Sequence, residues 1–414
     1  MSPQRRRRDG VLAGNRTLIR NGTGDSRTVR PVRSDGGDPR PTRLSAGAAF
    51  PGEHRPQAGV ETGPVPCPTF LREVYVTRNG TSDARSRENG SMPTPDHDEA
   101  LRTLRESLRG ALLRPGDDGY DEARTVWNAM VDREPAAIAR CTGTADVVAA
   151  VDVAREHDLL LSVKSGGHHV SGTAVCDDGL VVDLSPMDGV RVDPDARTVR
   201  VQAGATWGDV DHETQAFGLA VPGGQDPNIG VAGLTLGGGV GWLSRKYGLT
   251  CDNLLSADVV TADGGLVHAN ADENPDLFWA LRGGGGNFGV VTSFEFRLHE
   301  VGPAVFAGSL VYPFEDAREV ARRYREFMTD APREVRLLFG IMELPAASYY
   351  PEEVHDTRVA MLIAFYAGPP EEGAAVLAPL REFGDPVMDS LRERPYEAFQ
   401  QAGTSRGSRR TYLR

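Results

Sequence analysis

Along the chain, apolar residues first recur at helical spacing over residues 98–113, and this stretch is predicted to be an amphipathic helix. A short strand is expected at 136–140. Thr144 and Asp146 open a helix that runs to about residue 157, with Val147, Val148, Val151 and Ala154 on one face. A buried strand at 159–163 then runs straight into Lys164-Ser165-Gly166-Gly167-His168-His169. Further strands are predicted at 180–184 and 198–201, a helix at 207–217, and a hairpin at 257–269 around Asp263-Gly264-Gly265. A helix at 276–281 leads into Gly283–Gly286, and 290–298 reads as a strand. After Pro303 the units lengthen. Strands are expected at 305–312, 335–343 and 359–366, with helices at 315–328 and 371–383. Alternation of this kind argues α/β or α+β, with a domain boundary near 302–304. The first 91 residues carry no such pattern.

Charge divides the chain at the same place. Residues 1–91 hold sixteen Arg, no Lys and nine acidic residues, a net of +7 within a whole-chain charge of −12, so the remainder carries −19. With few apolar residues to bury, this leader is expected to be disordered, and patterned sequence beginning just after Met92 makes that methionine the expected natural start. The acidic body argues against a nucleic-acid partner. No run approaches the roughly 18 to 20 apolar residues of a membrane span, and Arg5–Arg8 are not followed by the apolar core of a secretory signal. Cys67, Cys141, Cys176 and Cys251 form no C-x-x-C pair, which fits a reducing cytoplasm.

Three glycine clusters need a reason, because glycine costs chain entropy and repays it only where backbone must approach something closely. They are Ser165-Gly166-Gly167-His168, the run from Gly223 through Gly230 to Gly241, and Gly283–Gly289. Together they suggest backbone walls around one large phosphate-bearing ligand. Gly284–Gly289 formally satisfies G-x-G-x-x-G, but a helix-like segment precedes it and a strand follows, the reverse of a Rossmann fingerprint. No P-loop occurs. Adjacent His168 and His169 diverge on an extended segment and lack a third ligand, so no metal site is expected.

The runs Lys164-Ser-Gly-Gly-His168, Gly179-Leu-Val-Val-Asp-Leu-Ser185 and Val201-Gln-Ala-Gly-Ala-Thr-Trp-Gly208 resemble the FAD-binding (PCMH-type) domain of the vanillyl-alcohol oxidase superfamily. Gly230-Val-Ala-Gly-Leu-Thr-Leu-Gly-Gly-Gly239, Arg245-Lys-Tyr-Gly-Leu-Thr-Cys-Asp-Asn253 and Gly283-Gly-Gly-Gly-Asn-Phe-Gly-Val-Val291 are similar to its berberine-bridge-enzyme-like branch. The resemblance implies an α+β fold. Two α+β subdomains clasp FAD within 92–303 (core 134–303), and 304–414 is part of an antiparallel-sheet substrate domain backed by helices. It implies cofactor contacts from Lys164, Ser165, Gly166, Gly167, His168, Gly230, Val231, Gly233, Leu234, Gly237, Asn253, Gly289, Val290 and Val291.

It further implies that His168 is bonded to the flavin 8α-methyl carbon, which requires a neutral imidazole held close. Asp226 stands about where many members carry a second, cysteinyl link, so a single covalent bond is expected. Val170 replaces the aromatic residue that plant members have after the attachment histidine, and Lys164 an arginine with its bidentate fork. The implied activity is hydride transfer from a small alcohol, sugar, amine or alkaloid-like substrate to flavin N5, with reoxidation by O2 or another acceptor. Candidate bases on the substrate-domain strands are Glu343, Tyr349, Tyr350 and Tyr366. Family members continue roughly a hundred residues further, so a truncated, catalytically incompetent flavin-binding remnant is the alternative expectation.

Overall fold

In a computed structural model of the chain, which describes residues 97–402, the first predicted helix is cut short. The Arg-rich leader, Met92 and the basic end after residue 402 lie outside the described residues. Helix α1 (His97–Ser107) buries Ala100, Leu101 and Leu104 as the pattern requires, but Ala111–Leu113 forms strand β1 instead of a further helical turn. The reason is tertiary. The Asp146 carboxylate accepts from the main-chain N–H of Arg109 at 2.8 Å and of Gly110 at 3.2 Å, capturing the chain as it leaves the helix. A Cβ on Gly110 would lie 1.8 Å from the Arg140 carbonyl oxygen, so β1 approaches its neighbour as only glycine permits.

The short helix α2 (Tyr120–Ala123) follows, then β2 (Ala137–Arg140), α3 (Thr144–Glu156), β3 (Leu161–Lys164) and β4 (Leu180–Asp183). They make a four-stranded sheet in the order β1-β2-β4-β3, in which β4 is parallel to both neighbours and every residue of it is buried. A strand covered on both faces reads as a continuous apolar run, which is why Leu180-Val-Val stood out in the sequence.

A second sheet is antiparallel and five-stranded. It uses β5 (Val190–Asp193) and β6 (Thr198–Gln202), and after helix α4 (Trp207–Gln215), the short strand β7 (Leu219–Ala220) and helices α5 (Val231–Leu236) and α6 (Ser244–Tyr247), it continues with β8 (Leu254–Val260) and β9 (Leu266–Asn270). Helix α7 (Pro275–Leu281) leads to β10 (Val290–Arg297), giving the order β5-β6-β10-β8-β9, and β11 (His299–Glu300) pairs with β7. Helix α4 begins with a capping box in which Thr206 and Asp209 exchange side-chain and main-chain hydrogen bonds. One hydrophobic core, from Leu101 through Val182 and Trp207 to Phe296, unites the two sheets.

The third sheet starts with β12 (Ala304–Pro313) and, after helix α8 (Ala317–Asp330), adds β13 (Val335–Glu343) and β14 (Arg358–Tyr366). Helix α9 (Pro370–Val376) is shorter than the predicted 371–383 unit. Pro379 has no N–H for continued α-helical bonding, and Ala378–Glu382 turns into a 3-10 segment. Strands β15 (Met388–Asp389) and β16 (Arg392–Pro395) both pair with β12, and α10 (Tyr396–Gln401) ends the described chain. One face of this sheet, with Leu310, Tyr312, Leu362 and Tyr366, packs on Val320 of α8 and on Leu377 and Leu380. The other face brings Val305, Ala307 and Phe365 against Trp242, Leu243 and Val301. The whole is the mixed α+β architecture with antiparallel sheets that the sequence led us to expect.

Helix α10 is the joint between the sheets. Gln400 donates to Asp211 Oδ2 of α4 at 3.0 Å, to the Gly224 carbonyl at 3.2 Å and to the Tyr396 hydroxyl oxygen at 3.1 Å. Burial, followed by the nearby Glu397 carboxylate, pushes the Asp211 carboxyl up to about 7 despite the bond from Gln400. The loop holding Gly224 and Asp226 is thus tied to α10 through the Gln400 amide, which also meets the Asp211 carboxylate, itself 1% exposed.

Candidate functional site

The turn that follows β3 is assembled backbone against backbone. A Cβ on Gly166 would lie 2.3 Å from the Gly230 nitrogen, and a Cβ on Gly230 would lie 2.4 Å from the Gly166 nitrogen. The first two glycine clusters therefore touch each other, and neither contact can give, because both partners are main chain. Ser165 Oγ donates to the Ala203 carbonyl at 2.7 Å, and the Val231 N–H donates to the Ala205 carbonyl at 2.9 Å, tying both clusters to the end of β6. The third cluster joins them where the Gly285 N–H donates to the Leu236 carbonyl at the end of α5.

The individual residues divide by what their side chains do. Val231, Val290 and Val291 are buried in the core, so only their main chain can meet a ligand. Leu234 packs toward Gly224. Gly289, at φ +135°, sits where a Cβ would strike the Val260 carbonyl at 2.5 Å, so its smallness serves the pairing of β10 with β8. Asn253 is 2% exposed; its amide donates to the Tyr247 and Leu249 carbonyls, and its Oδ1 meets His299 Nε2 at 2.7 Å. Gly233 is the opposite case, with nothing within 4 Å of where a Cβ would stand. Gly237 closes the same helix, its N–H donating to the Gly233 carbonyl.

Lys164 donates its ammonium to the Ala123 carbonyl, and burial lowers its affinity for a proton. It is a strut beneath the turn as much as a free cation. His168 is half-buried. Desolvation holds its imidazole below the usual histidine range, with the Asp226 carboxylate opposing, so the ring is neutral at physiological pH.

The segment between α2 and β2, which has no clear periodicity, escaped the sequence reading. It lies under the turn: the Trp127 N–H donates to the Gly167 carbonyl at 3.1 Å, and Asn128 Nδ2 donates to the Val170 carbonyl at 2.7 Å. The only local signal was a Trp-Asn pair in an otherwise unpatterned loop.

The four candidate bases do not come together. Glu343 pairs with Arg358 at one end of the β13–β14 ladder and Tyr366 with Val335 at the other, roughly 26 Å away at about 3.3 Å per residue. Tyr366 is on the helix-covered face and donates to Glu372 Oε2 at 3.0 Å; burial and that carboxylate push its hydroxyl up to about 12. Tyr349 and Tyr350, expected on a strand, lie instead in the loop after β13; Tyr349 is 70% exposed, its ring centroid 4.5 Å from that of Tyr350 with planes tilted by 55°, and burial pushes the Tyr350 hydroxyl up. A surface cleft lined by His212, Gln215, Pro303 and Glu397 shares no residue with the turn. Among the described residues no group of His, Cys, Asp and Glu could hold a metal ion, and no helix is long and apolar enough to cross a membrane.

Comparison with known proteins bears on the same stretch. Residues 135–270 match the FAD binding domain family. An FAD-linked oxidoreductase of Dictyostelium discoideum is 37% identical over 298 residues, which cover 71% of this chain and 62% of that protein. (R)-6-hydroxynicotine oxidase of Paenarthrobacter nicotinovorans is 41% identical over 206 residues, covering 50% and 45% respectively. Among solved structures, 6-hydroxy-D-nicotine oxidase of Arthrobacter nicotinovorans superposes with a TM-score of 0.66 at 32% identity, covering 74% of this chain and 66% of that one. A chitooligosaccharide oxidase follows at 0.63 and 28%, covering 74% and 64%. The chain spans 62% of the length of the Dictyostelium relative and 45% of the nicotine oxidase.

Proposed function

We propose, on the premise that residues 135–270 are an FAD binding domain, that the chain serves FAD-dependent oxidation of a small organic substrate and carries the flavin on His168. When bound, FAD supplies the hydride acceptor, and O2 or another acceptor takes the electrons onward. The residues fit the group. Gly166 and Gly230 close on each other main chain to main chain, Gly233 borders open space, and desolvation lowers the proton affinity of the half-buried His168, two residues past Gly166.

The observation that carries the reading is the close main-chain approach of Gly166 to Gly230 two residues before a half-buried histidine. A diphosphate needs main-chain N–H groups without side chains in front of them, and a nucleophilic imidazole needs a free lone pair. Gly166 and Gly167 let the chain approach, and Ser165 fixes the turn through the Ala203 carbonyl. The substrate is of the class oxidised at a carbon bearing O–H or N–H, as the oxidase names of several relatives suggest. The Asp226 carboxylate is felt electrostatically at His168, whereas Glu343 and Tyr366 stand at opposite ends of one ladder in the third sheet.

The test is direct. The purified chain is denatured, run on a gel and viewed for flavin fluorescence on the band. Fluorescence that survives in the wild type and vanishes in His168→Ala supports the attachment. A colourless chain that remains colourless after incubation with FAD sinks the reading. Peroxide release on a panel of alcohols, sugars and amines then reports oxidase activity.

A further inference from the structure

The loop that follows α2 grips the His168 turn on both sides of the histidine. On the N-terminal side, Lys164 reaches the Ala123 carbonyl, and Val126 lies 3.6 Å from where a Cβ on Gly167 would stand. On the C-terminal side, Asn128, itself 7% exposed, donates to the Val170 carbonyl at 2.7 Å and receives the Met130 N–H on its Oδ1 at 3.1 Å. Between the two grips, the Trp127 ring lies on the imidazole of His168, with centroids 5.8 Å apart and planes inclined by 22°.

Among the described residues neither nitrogen of His168 has a hydrogen-bond partner. The usual means of orienting a reactive histidine is a hydrogen bond to its second nitrogen, and here that means is missing. Backbone contacts place the Cα of His168, but they leave the ring free to rotate about its side-chain bonds. Among the described residues, the ring that stacks on it is that of Trp127.

We propose that Trp127 is the positioning residue that orients the His168 imidazole for bonding to the flavin, with Asn128 holding Trp127's loop against the turn. The inference rests on the FAD reading above and adds to it a residue outside the glycine clusters. Attachment exchanges one C–H of the flavin methyl group and the imidazole N–H for one N–C bond. The two electrons and two protons released pass through the flavin to dioxygen, which leaves as hydrogen peroxide. Trp127 takes no part in that exchange. Its contribution is to hold the lone pair in line, and a bond-forming step loses rate steeply when a reacting group is misplaced.

The experiment follows the whole chain in air with added FAD and reads two quantities: flavin that co-elutes with the native protein, and flavin that remains on the denatured band as a function of time. In Trp127→Leu, co-elution is expected to persist while the rate of attachment falls at least about tenfold; Trp127→Phe, which keeps a stacking ring, is expected to return it to within about threefold of wild type. A Trp127→Leu chain that attaches flavin at the wild-type rate overturns the proposal, as does a Trp127→Phe chain no faster than Trp127→Leu. If Trp127→Leu does not fold, as judged by circular dichroism, Trp127→Met takes its place. A cofactor-independent readout separates this inference from the one beneath it. The ring protons of His168 in the flavin-free chain are expected to resonate upfield under the Trp127 ring current and to return downfield in Trp127→Leu. Wild type that takes up no flavin overturns the FAD reading, while unchanged His168 resonances overturn the positioning role.

Discussion

The turn after β3 and the sheet of residues 304–402 are built on opposite principles. At the turn, glycine main chain packs on glycine main chain, and side chains from a distant loop lock it in place. On the third sheet the backbone is regular, and chemistry-bearing side chains are scattered along it, Glu343 and Tyr366 at opposite ends of one ladder. A site made of main chain leaves a mark in the sequence, because few residues tolerate the geometry. A site made of side chains on a regular sheet leaves none, since any strand can carry a tyrosine or a glutamate on either face.

The largest effect that would test this contrast is at Gly166. A methyl group there meets the Gly230 nitrogen at 2.3 Å, so Gly166→Ala is expected to cost about 3 kcal/mol or more in urea unfolding and to abolish flavin retention. Gly233→Ala is the matched control. It has open space for its methyl group and is expected to stabilise α5 by about 0.5–1 kcal/mol. If it also weakens FAD binding, then the space beside it is used by the cofactor; equal destabilisation by the two substitutions would remove the distinction between them.

The joint between the regions offers the next largest effect. The Asp211 carboxyl, pushed up to about 7 in the folded chain, has a value near 4 when unfolded. The folded state therefore binds the extra proton between those values, and stability rises as pH falls from about 7 toward 4. Above 7 the buried charge opposes folding by about 2–4 kcal/mol. Asp211→Asn is expected to flatten the stability profile between pH 4 and 8, measured by urea midpoints; an unchanged slope would place the titration elsewhere.

Asp146 supplies the opposite sign within the first region. Burial opposes its ionisation, but the N–H groups of Thr142, Arg109 and Gly110 outweigh it and hold the carboxyl below the ordinary range. Its contribution is complete above the unfolded value near 4 and is lost as pH falls below it. Asp146→Asn is expected to cost about 1.5–2 kcal/mol at pH 6 and progressively less toward pH 3. A cost that does not shrink on acidification would mean that shape, not charge, is what the helix end needs.

The smallest effect is expected on the third sheet. Tyr366→Phe removes one hydrogen bond to Glu372 on the helix-covered face, worth about 1 kcal/mol, and should leave any substrate turnover intact. A large loss of turnover with unchanged stability would return Tyr366 to the list of catalytic groups and break the comparison.

Much of the fold is legible in the sequence alone. The 335–343 strand is expected at its observed limits, and 359–366 within one residue, because strand-length runs of apolar residues fit a sheet whose two faces are both covered. The 98–113 helix was overextended because its heptad-like leucines continue past Ser107, whereas Asp146, 37 residues ahead, takes the N–H of Arg109. The α5 helix was hidden because glycine at 230, 233 and 237 disguises six helical residues packed between β6 and the Gly285 loop. Within the candidate site, His168 and its glycines were legible. Trp127 and Asn128 were not, because nothing in an unpatterned loop says which turn it will lie beneath.

By itself, the amino-acid sequence determined most of the longer strands and helices, the clustering of glycine main chain, and the histidine set next to it. These are local properties, decided by side-chain period and by glycine's freedom within a few residues. Only the tertiary structure decided that Gly166 and Gly230 press on each other, that Trp127 lies on His168, and that Gln400 joins α10 to Asp211 and to the loop of Gly224. Contacts between residues tens to nearly two hundred positions apart depend on how buried surfaces share one interior, and no local pattern encodes that sharing.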